Sequence, residues 1–293
     1  MRPFRSVLYM PGSNPRALEK AKTLPADALI LDLEDAVAPD AKAAARGLIA
    51  EAITGGGLTP RYVLARINAL ETAWAPDDIA ALSTCSPDAI LVPKVDGPAD
   101  IHAALALMDR HAALHHCEVW AMMETPLAIL NAAAIATASP RVGGFVLGTN
   151  DLIKDMRAFH DPARLAVSSA LTSCVLAARA AGIAVVDGVF NAIKDTDGLQ
   201  AECDQGRIMG FDGKSLIHPA QIEAANTTFG PSDEELDEAR LFVSAFDKAM
   251  ADGKAVAVVK GRIVENLHVE NAKRLLRMAE SISELNAAIG ANA

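Results

Sequence analysis

Eight short apolar runs, at residues 6–10, 28–33, 62–67, 89–92, 119–123, 144–147, 184–186 and 213–217, are mostly separated by stretches able to form a crossover helix. Short, nearly continuous apolar runs suit strands buried on both faces, as in a parallel sheet covered by helices. Eight strand-helix repeats are what a closed barrel requires, and the 293-residue chain matches the roughly 250 residues such barrels take. Only 4% of residues are aromatic, a balance that suits helices on buried strands better than a β-sandwich. The expected fold is α/β, a TIM-type (β/α)8 barrel over residues 1–230. After Pro231-Ser232 the pattern changes to an acidic helix start at Asp233-Glu234-Glu235, a long helix, a ninth apolar run at 255–259 and a last helix from about Asn266. A ninth strand has no place in a closed eight-stranded barrel, so residues 231–293 are expected to form a C-terminal helical extension, packed on the barrel or on a neighbouring subunit.

Polar or glycine-rich residues follow nearly every run: Pro-Gly-Ser-Asn at 11–14, Glu34-Asp35, Asn68, Lys94, Glu124, Asn150-Asp151, Asp187-Gly188 and His218-Pro219. In a barrel these positions gather at the C-terminal ends of the strands, where active sites are built. The formal net charge of -10 argues against a nucleic-acid or anionic-membrane surface, though not against a local basic pocket for one phosphorylated ligand. Cys85, Cys117, Cys174 and Cys203 form no C-x-x-C pair and no secretory apolar segment is present, so buried thiols and a cytoplasmic location are expected. The apolar stretch 119–138 contains Glu124 and Pro126 and reads as strand, loop and helix rather than a membrane span. His111, His115 and His116 read as exposed residues of a surface helix.

Glu124 and Asp151 follow the fifth and sixth runs, so their carboxylates fall on adjacent strand ends and suit one hard cation. Mg2+ seeks oxygen ligands and keeps part of its water shell, so two carboxylates suffice; Mn2+ is the alternative ion. The structural alternative makes either acid a helix cap or a partner of Lys154. Arg66 ends an apolar strand and needs an anion there, a protein carboxylate or a substrate carboxylate. Alternation sends Asp32 and Glu34 to one side, and Glu34 and Asp35 read either as acids that hold metal-bound water and orient Arg66 or as its structural partners. Lys94 is expected to meet these acids in an ordinary ion pair. The 11–14 turn resembles a phosphate loop, with Arg16 and Lys20 one helical turn apart beyond it; a solvated helix face is the alternative, and His218-Pro219 equally reads as a plain turn.

Taken in order, Tyr-Met-Pro-Gly-Ser-Asn-Pro at 9–15, Leu-Asp-Leu-Glu-Asp-Ala-Val-Ala-Pro at 31–39, Arg-Ile-Asn-Ala-Leu at 66–70, Pro-Lys-Val at 93–95, Met-Glu-Thr-Pro at 123–126, Gly-Thr-Asn-Asp-Leu at 148–152, Gly-Phe-Asp-Gly-Lys-Ser-Leu-Ile-His-Pro at 210–219 and Lys-Gly-Arg-Ile-Val-Glu at 260–265 span almost the whole chain. Together they resemble the HpcH/HpaI aldolase and citrate lyase β-subunit-like family, especially its CoA-ester lyases for malyl-CoA and citramalyl-CoA. The resemblance implies Mg2+ on Glu124 and Asp151, with a 2-oxoacid or its hydroxyacyl precursor held by that ion and Arg66. It places CoA near Tyr9, Lys20, Ile217 and His218; Arg16, as a stand-in for the basic residue absent at Asn14, and Asn150 are further substrate-binding candidates. Asn14 departs from a basic residue frequent in malyl-CoA lyases. Glu265 stands where many family lyases carry an aspartate that reaches a neighbouring subunit's site, which implies a homotrimer or homohexamer.

The function first expected is reversible carbon-carbon cleavage of a small β-hydroxyacyl-CoA into a 2-oxoacid and an acyl-CoA, with Glu265 moving the proton next to the thioester. The alternative is hydrolysis of a malyl-CoA-type thioester on the same scaffold, which the displaced carboxylate of Glu265 favours. A second alternative is a citrate lyase β subunit acting on an acyl-carrier-bound substrate.

Overall fold

In the computed structural model, which describes residues 2–291, eight parallel strands close into a barrel in sequence order. They are β1 (Ser6–Pro11), β2 (Ala28–Asp32), β3 (Tyr62–Arg66), β4 (Ala89–Val92), β5 (Glu118–Met123), β6 (Val142–Leu147), β7 (Ala184–Asp187) and β8 (Gly213–Leu216). Each coincides with a predicted run to within two residues. Closure is made by β8 on β1, with Ser6 opposite Lys214 and Leu8 opposite Leu216.

Two apolar layers follow from the two-residue period of a strand. One set, including Leu8, Leu29, Leu31, Val63 and Ile90, packs outward against the helices. The alternate set, including Val7, Ile30, Leu64, Leu91, Trp120 and Met122, fills the barrel. At the closed end, Phe4 packs edge-on against Tyr62 and Trp120 at 5.3 and 5.0 Å between ring centres. The Tyr62 hydroxyl and Trp120 Nε1 both donate to Oε2 of Glu118. Gly144 makes room for this plug, since a Cβ there would lie 2.8 Å from the indole ring.

Asp187 ends β7 on the predicted face of the barrel, but it is fully buried and serves the scaffold. Both its oxygens accept from Arg164 Nη1, at 2.8 and 2.7 Å. Lys214, also fully buried, donates to Gly188 O and Glu202 Oε1, each at 2.6 Å. Two buried cations among two carboxylates fasten the β7 and β8 ends to the connection carrying Arg164, an arrangement that is costly to break at any one member. Asn68 is structural as well, donating its backbone and side-chain N–H to Asp78.

Beyond the barrel, the helix Asp233–Ala251 opens on a Ser232/Glu235 capping box with three acids in its first turn. It packs with the helix Asn266–Ala291 around Phe242, Val264 and Val269. The ninth run forms β9 (Ala257–Val259), which pairs with an unpredicted β10 (Arg262–Val264) through a turn in which Lys260 and Gly261 have φ of 48° and 77°. Stretch 119–138 is β5 followed by two five-residue helices, and among the described residues no helix is long and apolar enough to cross a membrane. Cys117, Cys174 and Cys203 are buried free thiols, and Cys85 is half-buried. His111, His115 and His116 flank a three-residue 3-10 turn rather than lying on a helix.

Candidate active site

The inward alternation that places Ile30, Leu64 and Met122 inside the barrel continues to Asp32, Arg66 and Glu124 at the open end. Together with Tyr9, Asp35, Asn150, Asp151 and Ile217 they line a cavity of about 360 Å3. The next inward position on β6 is Gly148. A Cβ there would lie 2.4 Å from Glu124 Cβ, so the absence of a side chain is what admits the glutamate.

Arg66 and Asp32 form a two-pronged pair: Nε to Oδ1 at 2.7 Å and Nη2 to Oδ2 at 2.6 Å. Asp32, 1% exposed, also accepts from the backbone N–H of Glu34 and Ala36, so four donors fix its carboxylate. The structural partner sought for Arg66 is therefore Asp32. The remaining nitrogen, Nη1, meets Met122 Sδ at 3.6 Å, Glu34 Oε2 at 2.9 Å and Asp35 Oδ2 at 3.6 Å. Glu34 Oε2 nevertheless accepts no hydrogen bond, which leaves a buried carboxyl oxygen with hydrogen-bonding capacity to spare beside the cavity. Burial pushes the Glu34 carboxyl up to about 8, against the opposing pull of Arg66 and with the help of Asp35, Glu124 and Asp32. Asp35 is largely exposed at the rim.

Glu124, 2% exposed, and the half-buried Asp151 converge on one ammonium group. Lys94 Nζ is ion-paired to Asp151 and stands 3.5 Å from Glu124 Oε1, while the Lys94 backbone N–H donates to that same oxygen at 2.8 Å. Lys94 thus meets the two metal-candidate acids and not Glu34 or Asp35 as expected, because its own backbone is aimed at Glu124. The cost is a left-handed φ of 53° at a residue with a side chain, of order 1 kcal/mol or more. Lys154 has no part in the arrangement.

Among the described residues no group of three or more His, Cys, Asp or Glu side chains is placed to hold a metal. Two convergent carboxylates already sharing a cation nonetheless fit Mg2+, whose other positions go to water and substrate oxygens. Burial raises the Glu124 carboxyl, opposed by the N–H and charge of Lys94, so a second cation beside it would be favoured.

The other predicted residues are placed less centrally. Asn14 caps the short helix Pro15–Ala21 by accepting from the N–H groups of Arg16 and Ala17, and Arg16 and Lys20 lie exposed on that helix. His218 Nδ1 accepts from the N–H of Ala220, so it does close a turn, at the exposed rim beside Ile217. Glu265 is exposed at the start of the last helix, and it is not among the residues lining the cavity. Two residues carried no sequence signal. Asn191 exchanges hydrogen bonds with Asn150 at 2.8 and 3.2 Å, across the boundary with a side cavity of about 500 Å3. Gln221 is buried, accepting from the N–H groups of Ile217 and His218 and donating to Phe190 O, which ties the β7 and β8 loops together.

The barrel mouth thus brings together a fixed guanidinium, two cation-sharing carboxylates and a cavity of small-ligand size. The HpcH/HpaI aldolase/citrate lyase model matches residues 5–219, and the chain belongs to that family. Over 285 residues it is 50% identical to a (3S)-malyl-CoA thioesterase of Cereibacter sphaeroides, covering 97% of this chain and 98% of that one. An L-malyl-CoA/beta-methylmalyl-CoA lyase of the same organism is 34% identical over 310 residues, covering 96% of each. The structure of CitE from Mycobacterium tuberculosis in complex with magnesium, acetoacetate and coenzyme A superposes with a TM-score of 0.77 at 30% identity, over 96% of this chain and all of that one.

Two outcomes follow from these charges. In Lys94→Met the backbone N–H on Glu124 is kept while a competing charge is removed; titration calorimetry should give Mg2+ binding at least about tenfold tighter, and weaker binding would mean that Lys94 arranges the acids rather than competing for them. The Glu34 carboxyl ionises near pH 4.5 in the unfolded chain and near 8 in the folded one, so the folded state holds the extra proton and stability falls as pH rises through that window. Glu34→Gln escapes this loss: without metal, its melting temperature relative to the parent should climb between pH 4.5 and 8 by about 5 °C, whereas a constant offset would contradict the assignment.

Proposed function

We propose that this chain hydrolyses the thioester of a small β-hydroxyacyl-CoA of the malyl-CoA type, giving the free hydroxyacid and CoA. The observation that carries this reading is the 50% identity to a thioesterase over nearly the full length of both chains, against 34% for the lyase. Carbon-carbon cleavage is the second reading, favoured by the same pocket and by the lyase relative.

In this account Arg66, held rigid by Asp32, offers Nη1 to the carboxylate of the acyl group. Glu124 and Asp151 would hold Mg2+, which when bound supplies positive charge to the acyl oxygens. Asn150 borders the acyl group, while Ile217, His218, Arg16 and Lys20 lie along the path assigned to CoA. Hydrolysis adds water to the thioester carbon and breaks the C–S bond; one proton leaves the water and one reaches the departing sulfur. We assign removal of the water proton to Glu265 of a second copy, with residues 231–293 acting as the cap on a neighbour's site in a trimer or hexamer. The exposed apolar side chains around Glu265 support a docked position: Val258, Ile263 and Leu267 are 69%, 61% and 61% exposed.

Mass-resolved product analysis with Mg2+ and malyl-CoA or citramalyl-CoA tests the reading. Free hydroxyacid with CoA is expected, abolished in Glu124→Ala; a 2-oxoacid with acetyl-CoA would replace hydrolysis by cleavage. Glu265→Asp should move the product ratio toward cleavage, and mixed oligomers of inactive Glu124→Ala and Glu265→Ala chains should regain activity if the residue serves a neighbour.

A further inference from the structure

The chain has two tyrosines, and they are treated differently. Tyr62, in the closed-end plug, donates a hydrogen bond from its hydroxyl to the Glu118 carboxylate. Tyr9 stands on β1 at the open end, and among the described residues its hydroxyl has only Met122 Sδ, 3.8 Å away. A thioether is a weak acceptor, so this phenol keeps nearly all of its hydrogen-bonding capacity. A tyrosine packed inside a protein ordinarily finds a strong partner.

Its position is set on both sides. The ring packs with the apolar filling of the barrel, and the Arg66 guanidinium lies over it at 5.0 Å from the ring centre. Tyr9 and Met122 both line the cavity that also holds Arg66, Glu124 and Asp151. Burial raises the phenol well above its ordinary value; Arg66 opposes this, while Asp32, Glu124 and Glu34 add to it. The group therefore stays protonated and donates.

We propose that Tyr9 is a catalytic hydrogen-bond donor, its hydroxyl turning from Met122 to the thioester carbonyl oxygen of the bound acyl group. The assignment rests on the thioester reading above. When water adds to the carbonyl carbon, negative charge gathers on that oxygen, and it returns to the carbon-oxygen double bond as the C–S bond breaks and the sulfur takes a proton. In carbon-carbon cleavage the same oxygen carries the charge of the enolate. A donor already placed in the barrel wall stabilises either state without reorganisation.

Tyr9→Phe keeps the ring and its stacking with Arg66 and removes one oxygen. Consumption of malyl-CoA, followed by chromatography whatever the products, should show kcat lowered by about 100-fold or more, with KM changed by no more than about twofold. Mg2+ affinity by calorimetry and the melting temperature should stay as in the parent. Incorporation of 3-fluorotyrosine at position 9, which restores the donor, should bring kcat back to within about tenfold. An unchanged kcat, a rise in KM alone, or a loss of Mg2+ affinity equal to the loss of rate would each overturn the assignment. A parent protein that consumes no malyl-CoA would instead defeat the thioester reading, so the two failures are distinct.

Discussion

The pairing of Arg66 with Asp32 is the contact on which the barrel mouth depends. A guanidinium at the end of a buried strand is tolerated only with a fixed anion, and Asp32 is fixed by four donors. Because two nitrogens of Arg66 are spent on Asp32, the third faces the cavity in one direction. The ring of Tyr9 lies against the guanidinium at 5.0 Å, so the rotamer of Arg66 is set by the protein itself.

The rest of the mouth is an excess of acid around that pair. Asp32, Glu34, Asp35, Glu124 and Asp151 make five carboxyl groups against the two cations Arg66 and Lys94. The protein contains the repulsion in two ways: Glu34 retains its proton into neutral pH, and Lys94 bends into a left-handed conformation to reach Glu124 and Asp151. A surface optimised for stability alone has no reason to gather these groups. Gly148 completes the economy of space, since any side chain there would displace Glu124.

Much of this was legible in the sequence because strand period and barrel topology are local rules. The apolar runs marked all eight strands, and alternation from Ile30, Leu64 and Met122 leads directly to Asp32, Arg66 and Glu124. What escaped was set by contacts distant in sequence. Lys94 is drawn to Glu124 by a backbone bond that no spacing reveals, and Asp187 is a buried anchor because Arg164 reaches it from the connection between β6 and β7. Asn191 meets Asn150 across 41 positions. β10 was missed although Lys260-Gly261 between two apolar pairs is a recognisable hairpin turn, its three residues being too few to register as a run.

The proposed chemistry requires the carboxylates of Glu124 and Asp151 to receive one divalent ion. Anomalous diffraction from crystals grown with Mn2+ in place of Mg2+ tests this most directly. One ion bound by oxygens of both side chains, and lost in a Glu124→Gln, Asp151→Asn double variant, is the predicted result. An ion bound elsewhere, or one retained undiminished in the double variant, would contradict it.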